Sequence, residues 1–290
     1  MNYKNCTLCP RRCGVDRTVG ETGFCGMSDK VLIARAAPHH WEEPVICGEH
    51  GAGAVFFSGC TLKCIYCQNE VISHGPFGKA VTAKELREIF EDLVAQGCSC
   101  IDLVTPTHFL PTIIPALSPK LPIPVVYNCG GYERVETLRQ LEGLVDIYLP
   151  DFKYSQDVLG TRYSGAPDYA ATAVAAISEM FRQTGPIHYN KEGMLEKGVI
   201  IRHLVLPGQV GNSLGVLDKI EELFRPGDVL LSVMSQFTPM GDAVDQLHRP
   251  ITEEEYDGVL SYMELLGLDE GFVQEFSSAD EKYIPNWEEN

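Results

Sequence analysis

Six short apolar runs that alternate with helical patterns limit the folds open to this chain of 290 residues. The runs are partly β-branched and lie at 54–58, 101–105, 123–127, 145–149, 199–206 and 228–233. Continuous apolar runs of this length are typical of parallel strands that are buried on both faces of a sheet. The sequence therefore predicts six parallel strands.

Helical periodicity fills the intervals between these runs. The segment 82–96 places Thr82 and Glu85 at the spacing of a capping box, continues with apolar residues at helical intervals, and ends at Gly97. Similar patterns occur at 109–118, 133–141, 167–183, 212–224 and 252–266. This alternation predicts an α/β fold in which helices surround a parallel sheet, curled into a full or partial (β/α)6 barrel of the TIM type.

The ends of the chain depart from this rhythm. Residues 1–50 carry their own cysteine group, so we expect an N-terminal Cys-rich metal-binding segment at 1–50 and a barrel with a C-terminal extension at 51–290. The segment 185–198 has turn-forming ends and is expected to be a flexible cover. The last four residues, from Trp287, are expected to be a solvated tail.

Composition excludes several classes of protein. The formal net charge of −17 argues against a nucleic-acid partner, because binding to phosphates rests on clustered Lys and Arg. The chain has no apolar run of about 18 residues and no basic, then apolar, N-terminal region, so we expect a soluble cytoplasmic protein. The 11 cysteines crowd into short clusters of a long chain, which favours reduced, metal-binding thiols over disulfides.

Three cysteines, Cys60, Cys64 and Cys67, follow the first predicted strand with the spacing C-x3-C-x2-C. Three thiolates this close can bind three irons of a [4Fe-4S] cluster and leave the fourth iron open to a small molecule. Structural zinc is the alternative, but it normally takes four protein ligands. Since catalytic groups of parallel barrels lie at the carboxyl ends of the strands, the triplet predicts a catalytic metal site there.

The triplet, with Tyr66 and the flanking residues 58–69, resembles the motif of the radical S-adenosylmethionine (SAM) superfamily in its glycyl-radical-enzyme-activase branch. Further matches follow in order: Cys-Thr-Leu-Cys-Pro-Arg-Arg-Cys-Gly at 6–14, Val-Thr-Pro-Thr-His at 104–108, Tyr-Asn-Cys-Gly-Gly-Tyr at 127–132, Tyr-Leu-Pro-Asp-Phe-Lys-Tyr at 148–154, and Arg-His-Leu-Val-Leu-Pro-Gly at 202–208. Together they are similar to the group known as pyruvate formate-lyase activating enzyme homologues.

This resemblance implies a radical SAM oxidoreductase. Its [4Fe-4S] cluster would cleave SAM reductively to methionine and a 5′-deoxyadenosyl radical, which abstracts hydrogen from a glycyl-radical enzyme, from a different protein or from a small molecule. It also implies a one-electron donor such as flavodoxin or ferredoxin. The alternative from another class is a non-catalytic, metal-stabilised interaction protein.

Candidate SAM-binding residues lie at the ends of the predicted strands. Asp151 and Lys153 match the Asp-x-Lys motif of the activases, and as alternate residues they share one face of the strand; a surface ion pair is the alternative. Asn69 matches a polar position near SAM or caps a helix, and Tyr66 is expected to pack against the adenine or the cluster loop. The other candidates are Thr105, Thr107, His108, Asn128, Arg202 and Gln236.

Several of these candidates depart from the family pattern. Residues 105–108 replace a Gly-Gly-Glu-Pro-like stretch whose backbone holds the SAM amino group, and His108 is expected to carry a proton at the mouth of the site. Asn128 stands where the activases have Asp, which removes one charge. Arg202 and His203 interrupt an apolar strand, which predicts either a polar cavity or a satisfied interior pair.

Four further cysteines, Cys6, Cys9, Cys13 and Cys25, form a second predicted metal-binding set. Interleaved glycines allow the tight turns that such a set needs. The set suits tetrahedral zinc and an iron-sulfur cluster equally well. A cluster would relay electrons to the catalytic cluster. Zinc would instead stabilise a segment whose hydrophobic core is too small for it to fold alone.

The remaining cysteines and one polar loop carry weaker signals. Cys98 and Cys100 precede the second predicted strand, at the end away from the expected site, and are interpreted as core residues. The segment 39–44 contains two His and two Glu residues and is interpreted as a surface loop, with binding of metal or substrate by these side chains as the alternative.

Overall fold

The computed structural model describes residues 1–240, residues 244–276 and Trp287. Its strands are β1 (Val31–His39), β2 (Ala52–Phe57), β3 (Lys79–Val81), β4 (Ile101–Val104), β5 (Val125–Cys129), β6 (Ile147–Pro150), β7 (His188–Tyr189), β8 (Leu195–Leu204), β9 (Leu230–Met234) and β10 (Gly271–Val273). Its helices are α1 (Pro44–Cys47), α2 (Glu70–Ser73), α3 (Ala83–Ala95), α4 (Leu110–Ala116), α5 (Val135–Leu138), α6 (Asp157–Ser164), α7 (Tyr169–Thr184), α8 (Val210–Leu223) and α9 (Glu253–Leu265).

One mixed sheet organises these elements in the order β10-β9-β8-β6-β5-β4-β2-β1-β3. The neighbouring strands β2, β4, β5, β6, β8, β9 and β10 are all parallel to one another. At one edge, β1 pairs antiparallel with β2 and with β3. All six predicted strands are confirmed, as β2, β4, β5, β6, β8 and β9. The fold is therefore α/β with helices joining neighbouring parallel strands.

The helices form where capping and periodicity predict them. In α3, Thr82 and Glu85 make the reciprocal capping box, and Leu86, Phe90 and Leu93 are buried. The chain leaves this helix through Gly97, which has a φ of +86° and so adopts a conformation that a side chain disfavours. The other predicted helices appear as α4, α5, α7, α8 and α9.

Apolar side chains cover both faces of the sheet. Along β5, Val125 and Tyr127 belong to the large core cluster, whereas Val126 belongs to a smaller cluster with Ile147 and Ile200. This alternation places one core on each face of the parallel strands. Cys98 lies in the large core and Cys100 in the smaller one, which confirms their interpretation as core residues.

Two expectations about the outer segments are wrong. The segment 185–198 forms the antiparallel β7–β8 hairpin, which lies at the amino end of β8. Trp287 is buried and packs edge-on against Phe56 at 5.4 Å, because an indole gains more from burial than from solvent. Residues 288–290 of the expected tail lie outside the described residues. Among the described residues, no helix combines the length and the apolar character that a membrane span requires.

The N-terminal segment packs against the sheet and its helices. Thr137 donates a hydrogen bond to the carbonyl oxygen of Leu8 at 2.7 Å, and Tyr3 contacts Thr112 at 2.8 Å. Within residues 1–50, β1 is itself a strand of the main sheet. The division into an N-terminal segment 1–50 and a barrel 51–290 is not tested by these contacts and stays a prediction.

Candidate functional site

The cysteine triplet lies in the loop that follows β2. Gly59, the second residue of this loop, has a φ of +82°. A Cβ atom at Gly59 would lie 2.9 Å from the carbonyl oxygen of Cys25, so glycine alone permits the approach of the two cysteine-bearing segments. Cys60, Cys64 and Cys67 all line one cavity of about 240 Å³.

Each sulfur of the triplet accepts a hydrogen bond. Cys60 Sγ accepts from the backbone N–H of Leu62 at 3.3 Å, Cys64 Sγ from the Ser164 hydroxyl at 2.9 Å, and Cys67 Sγ from the Ser73 hydroxyl at 3.4 Å. Donors directed at sulfur stabilise thiolates and tune the potential of a bound cluster. Burial raises the pKa of Cys67 to about 12 and also raises the pKa of Cys60, which disfavours the thiolate forms of these two side chains.

Aromatic side chains form the floor beneath this loop. The Tyr66 hydroxyl contacts the Tyr154 hydroxyl at 2.6 Å, and the latter contacts the Ser164 hydroxyl at 2.8 Å. Tyr66 also packs edge-on against Tyr163 and lies against Phe237. This network fixes Tyr66 within the cluster loop, while part of its surface lines the cavity.

A network of paired charges at the ends of β6 and β8 also lines the cavity. Asp151 Oδ2 accepts from Lys153 Nζ at 2.6 Å, and Asp151 Oδ1 accepts from Arg202 Nε at 3.0 Å. Arg202 also donates to Asn128 Oδ1 at 2.6 Å and lies 3.4 Å from Glu42 Oε2. The surface ion pair considered from the sequence is therefore wrong, because Asp151 and Lys153 are mostly buried.

These charges hold one another in their ionised forms. Burial alone would raise the pKa of Asp151, but the attraction of Lys153 and Arg202 outweighs it and lowers that pKa. Burial likewise opposes the charge of Lys153, and the nearby Asp151 carboxylate outweighs this effect and raises the pKa of the amine. The wall therefore presents fixed positive and negative charges side by side.

Asn69 lies beside the triplet with an unused acceptor. It precedes α2, but its side chain makes no capping hydrogen bond. Its Oδ1 atom is buried and has no hydrogen-bond partner among the described residues. An orphaned acceptor in a cavity needs a donor from a ligand or water, since an unpaired buried polar atom is costly. The capping interpretation of Asn69 is therefore not supported.

Thr107 and His108 are buried and do not line the cavity, so the structure lends no support to the SAM contacts expected of them, which stay predictions. The chain turns after β4 into a short 3-10 helix at Thr107–Phe109, which directs both side chains inward. The Thr107 hydroxyl donates to Glu133 at 2.9 Å, and His108 Nε2 contacts the carbonyl oxygen of Ser58 at 2.7 Å. Burial lowers the pKa of His108 to about 3, and its ring does not face the mouth of the site, where a proton carrier was expected.

Thr105, by contrast, lines the cavity in a strained conformation. Its φ of +59° is unusual for a β-branched residue. Such strain persists where the surrounding structure enforces it and is concentrated at functional sites.

Arg202 and His203 have different environments. Arg202 lines the cavity, whereas His203 is fully buried behind it. His203 Nδ1 donates to the carbonyl oxygen of Phe152 at 2.7 Å, and Nε2 accepts from the Ser213 hydroxyl at 2.8 Å. The interpretation as a polar cavity thus applies to Arg202, and the interpretation as a satisfied interior residue applies to His203.

A second cavity, of about 290 Å³, adjoins the first. The two share a wall that consists of Gln68, Asn69, Val104, Asn128, Arg202 and Gln236. His39, Trp41 and Glu42 line the second cavity, so the segment 39–44 is more than a surface loop. Burial raises the pKa of the neighbouring Glu43 to about 7.

Sequence reasoning missed several lining residues. Cys129 lines the first cavity at the end of β5, and Gln274 lines the second. The position of Cys129 at the carboxyl end of a predicted strand was the available signal, but it lacked neighbouring cysteines in the sequence. Glu42 precedes β2 by many residues, and nothing local indicates that it reaches Arg202.

The four N-terminal cysteines are brought into one region. Cys6, Cys9 and Cys25 are buried, while Cys13 is exposed and accepts from the backbone N–H of Phe24 at 3.3 Å. A Cβ atom at Gly23 would lie 2.7 Å from Cys13 Sγ, so glycine keeps this space open. Burial raises the pKa of Cys9 to about 12, with further contributions from Cys25 and Cys13.

Neither cysteine set is arranged around a single ion. In the parts of the chain that the structure describes, no group of three or more His, Cys, Asp or Glu side chains could hold one metal ion. A [4Fe-4S] cluster distributes its cysteines over different irons, so its ligands lie further apart than those of a single ion. Three thiols that line one cavity, together with the orphaned Asn69 acceptor, fit such a cluster and a bound small molecule.

Comparison with known proteins supports a family and a fold. No model of a known protein family matches the chain. The uncharacterized protein MJ0674 of Methanocaldococcus jannaschii is 31% identical over 281 residues, which cover 92% of this chain and 76% of that protein. The chain belongs to the family of this archaeal protein.

Among solved structures, a radical SAM methyltransferase from Sphaerobacter thermophilus is similar with a TM-score of 0.50 and 12% identity. The match covers 76% of this chain, which spans 65% of the methyltransferase. It shows a shared α/β fold. A domain of pyruvate-formate lyase-activating enzyme from Bacteroides vulgatus aligns with a TM-score of 0.39 and 13% identity over 67% of this chain and 91% of that domain.

Proposed function

We propose that this protein is a radical SAM enzyme. One observation carries the proposal: the cysteine triplet and the Asp151, Lys153 and Arg202 charges line a single cavity at the carboxyl ends of parallel strands. The fold shared with a radical SAM methyltransferase supports it. We further propose that the sheet curves into the partial barrel of the radical SAM core.

Within this proposal, Cys60, Cys64 and Cys67 hold a [4Fe-4S] cluster. When bound, the cluster supplies the electron that cleaves SAM to a 5′-deoxyadenosyl radical, and the protein positions and shields the reactants. Asp151, Lys153 and Arg202 offer both signs of charge to the amino and carboxylate groups of SAM. Asn69, Thr105, Asn128 and Gln236 supply polar contacts at the shared wall of the two cavities.

The reaction that follows is hydrogen abstraction from a substrate that reaches the first cavity through the second. A glycyl-radical enzyme is the proposed substrate, as the motif resemblance implies, and a different protein or a small molecule is the alternative. The cluster requires a one-electron donor such as flavodoxin or ferredoxin. Free thiols and a reduced cluster fit the reducing conditions of the cytoplasm.

The N-terminal cysteines Cys6, Cys9, Cys13 and Cys25 form a second metal site in this proposal, with zinc or an iron-sulfur cluster as its occupant. The segment that carries them is the proposed metal-binding appendage. Its packing against Gly59 places it beside the triplet loop.

Anaerobic reconstitution tests the function. The intact chain should bind about four irons and four sulfides at the triplet, and dithionite with SAM should yield 5′-deoxyadenosine by liquid chromatography and mass spectrometry. Cys64→Ser should abolish this product. Cys98→Ser, which alters a buried thiol outside both cavities, is the matched control and should retain it.

A cluster without SAM cleavage would contradict the radical enzyme and favour a metal-stabilised interaction protein. If cleavage occurs, deuterium transfer from a labelled candidate substrate into 5′-deoxyadenosine identifies the site of abstraction.

A further inference from the structure

Three cations beside the loop of the cysteine triplet lack carboxylate partners. Acidic residues outnumber basic ones in this chain by 40 to 23, and the formal net charge is −17. Arg11, Arg12 and Lys63 nevertheless have no Asp or Glu oxygen of the described residues within ion-pair distance. This part of the surface therefore carries a local charge opposite to that of the whole molecule.

These cations surround an exposed aromatic ring. The guanidinium carbon of Arg11 lies 3.7 Å from the centroid of the Phe24 ring, and Lys63 Nζ lies 5.8 Å from it. Arg12 follows Arg11 in the chain and is exposed. Phe24 is 38% exposed and Ile65 is 40% exposed, so apolar area stays open beside the positive charges. We call Arg11, Arg12, Phe24, Lys63 and Ile65 the basic patch.

The basic patch is attached to the cysteine triplet by short contacts. Arg11 Nη2 donates to the carbonyl oxygen of Ser164 at 2.7 Å, and the Ser164 hydroxyl donates to Cys64 Sγ at 2.9 Å. Lys63 and Ile65 are the two chain neighbours of Cys64. A protein bound to the basic patch would therefore lie next to one of the proposed cluster ligands.

The basic patch lies outside both cavities. Residues 60, 62, 64 and 66 of the triplet loop line the first cavity, whereas Lys63 and Ile65 line neither cavity. Arg11, Arg12 and Phe24 are likewise absent from both linings. The proposed route of the substrate through the second cavity thus leaves the basic patch free for a different partner.

We propose that the basic patch is the docking surface for an acidic protein that delivers single electrons. This rests on the proposed function, in which the cluster at the triplet is reduced by one electron while the donor is oxidised by one. Opposite charges steer an acidic donor to the patch, and the exposed Phe24 and Ile65 supply apolar contact. Short-lived redox encounters bury less than about 1,200 Å², so a surface of this small size is sufficient.

Binding tests the docking surface directly. Isothermal titration calorimetry of the reconstituted full-length protein with a flavodoxin of strongly negative net charge measures the dissociation constant at low and at high salt. Arg12→Glu should raise this constant about 10-fold at low salt, and high salt should remove most of the difference. Phe24→Ser should weaken binding at both salt concentrations, because salt does not screen apolar contact. Lys191→Glu makes the same change in net charge in the exposed β7–β8 turn and should bind as the parent does.

Electron delivery separates docking from a structural role. With limiting reduced flavodoxin, Arg12→Glu should form 5′-deoxyadenosine about 10-fold more slowly than the parent. With excess dithionite, a small reductant that needs no docking surface, the two proteins should form it at equal rates.

Four results would each overturn the docking surface: no binding of the flavodoxin or of an acidic ferredoxin to the parent, equal binding by the parent and Arg12→Glu, an equal effect of Lys191→Glu, or the same loss of rate with dithionite. If the parent forms no 5′-deoxyadenosine with dithionite, the proposed function itself is contradicted and the docking surface falls with it.

Discussion

Single residues around the first cavity are held mainly by paired charges. Asp151 bonds both Lys153 and Arg202, and all three side chains are largely removed from solvent. Intact buried ion pairs contribute little to the free energy of unfolding. Removal of one partner is nevertheless strongly destabilising, because the other charge stays buried without compensation. This asymmetry makes Asp151 the most sensitive member of the network.

Asp151→Asn should lower the free energy of unfolding by about 3 kcal/mol, since it leaves Lys153 without its carboxylate. Urea denaturation of the metal-free protein measures the change. Glu222→Gln breaks the exposed pair with Lys219 and should cost less than about 0.5 kcal/mol. Equal effects of the two substitutions would show that the Asp151 network is solvated.

His203 should make stability depend on pH. Burial lowers its folded pKa to about 4, although the hydrogen bond with Phe152 opposes the shift. The unfolded chain takes up the proton near pH 6.5 and the folded chain only near pH 4, so this contribution is present above about pH 6.5 and is lost as the pH falls. The expected slope between these values is about 1.4 kcal/mol per pH unit.

His203→Gln should remove that slope from urea denaturation measured at pH 7, 6 and 5. His188→Gln, at an exposed position in the β7–β8 hairpin, is the matched control. An unchanged slope in the His203 variant would assign the pH dependence to other groups.

Among the elements, the loop after β2 depends on close packing with the N-terminal segment. Gly59 and Gly143 have nearly equal φ values, +82° and +81°. A Cβ atom at Gly59 would lie 2.5 Å from Met27 and 2.9 Å from the Cys25 carbonyl oxygen, whereas one at Gly143 would meet nothing within 4 Å. Substitution of Gly143 therefore measures the cost of backbone strain alone, whereas substitution of Gly59 adds the cost of steric overlap.

Gly143→Ala should cost about 1–2 kcal/mol from its left-handed backbone alone. Gly59→Ala should cost about 1–3 kcal/mol more because of overpacking, and it should reduce iron bound at the triplet. Urea denaturation and iron analysis measure the two effects. If both variants lose equal stability and bind equal iron, the N-terminal segment does not support the triplet loop.

Elements whose signals are local could be predicted from the sequence. The capped helix α3 and the six buried parallel strands have continuous periodic patterns. The strand β1 was missed because it contains Arg35 and Pro38 and belongs to a cysteine-rich segment, and β10 because it has only three residues.

The triplet was predicted from spacing, while Glu42 and Gln274 reach the second cavity only through tertiary packing. Thr107 and His108 were misplaced because a 3-10 turn after Thr105 reverses their orientation.

At the scale of the whole molecule, the N-terminal segment and the sheet should unfold together. Their contacts include the Thr137 hydrogen bond to Leu8 and the Arg11 hydrogen bond to the Thr61 carbonyl oxygen. Circular dichroism and mass-spectrometric labelling of Cys6, Cys9 and Cys25 should therefore give one coincident urea transition. Labelling of these cysteines at lower urea, before the sheet unfolds, would show an independent N-terminal domain.

During synthesis, the N-terminal segment has to wait for the distant residues against which it packs. Leu8 and Thr137 are 129 positions apart, so the segment leaves the ribosome long before its binding surface exists. At translation rates of about 5–20 residues per second, the delay is about 6–26 s. For this interval the thiols of Cys6, Cys9 and Cys25, which are buried in the finished protein, are open to metal donors and to oxidants. The nascent chain is thus the form in which this segment is most easily loaded and most easily damaged.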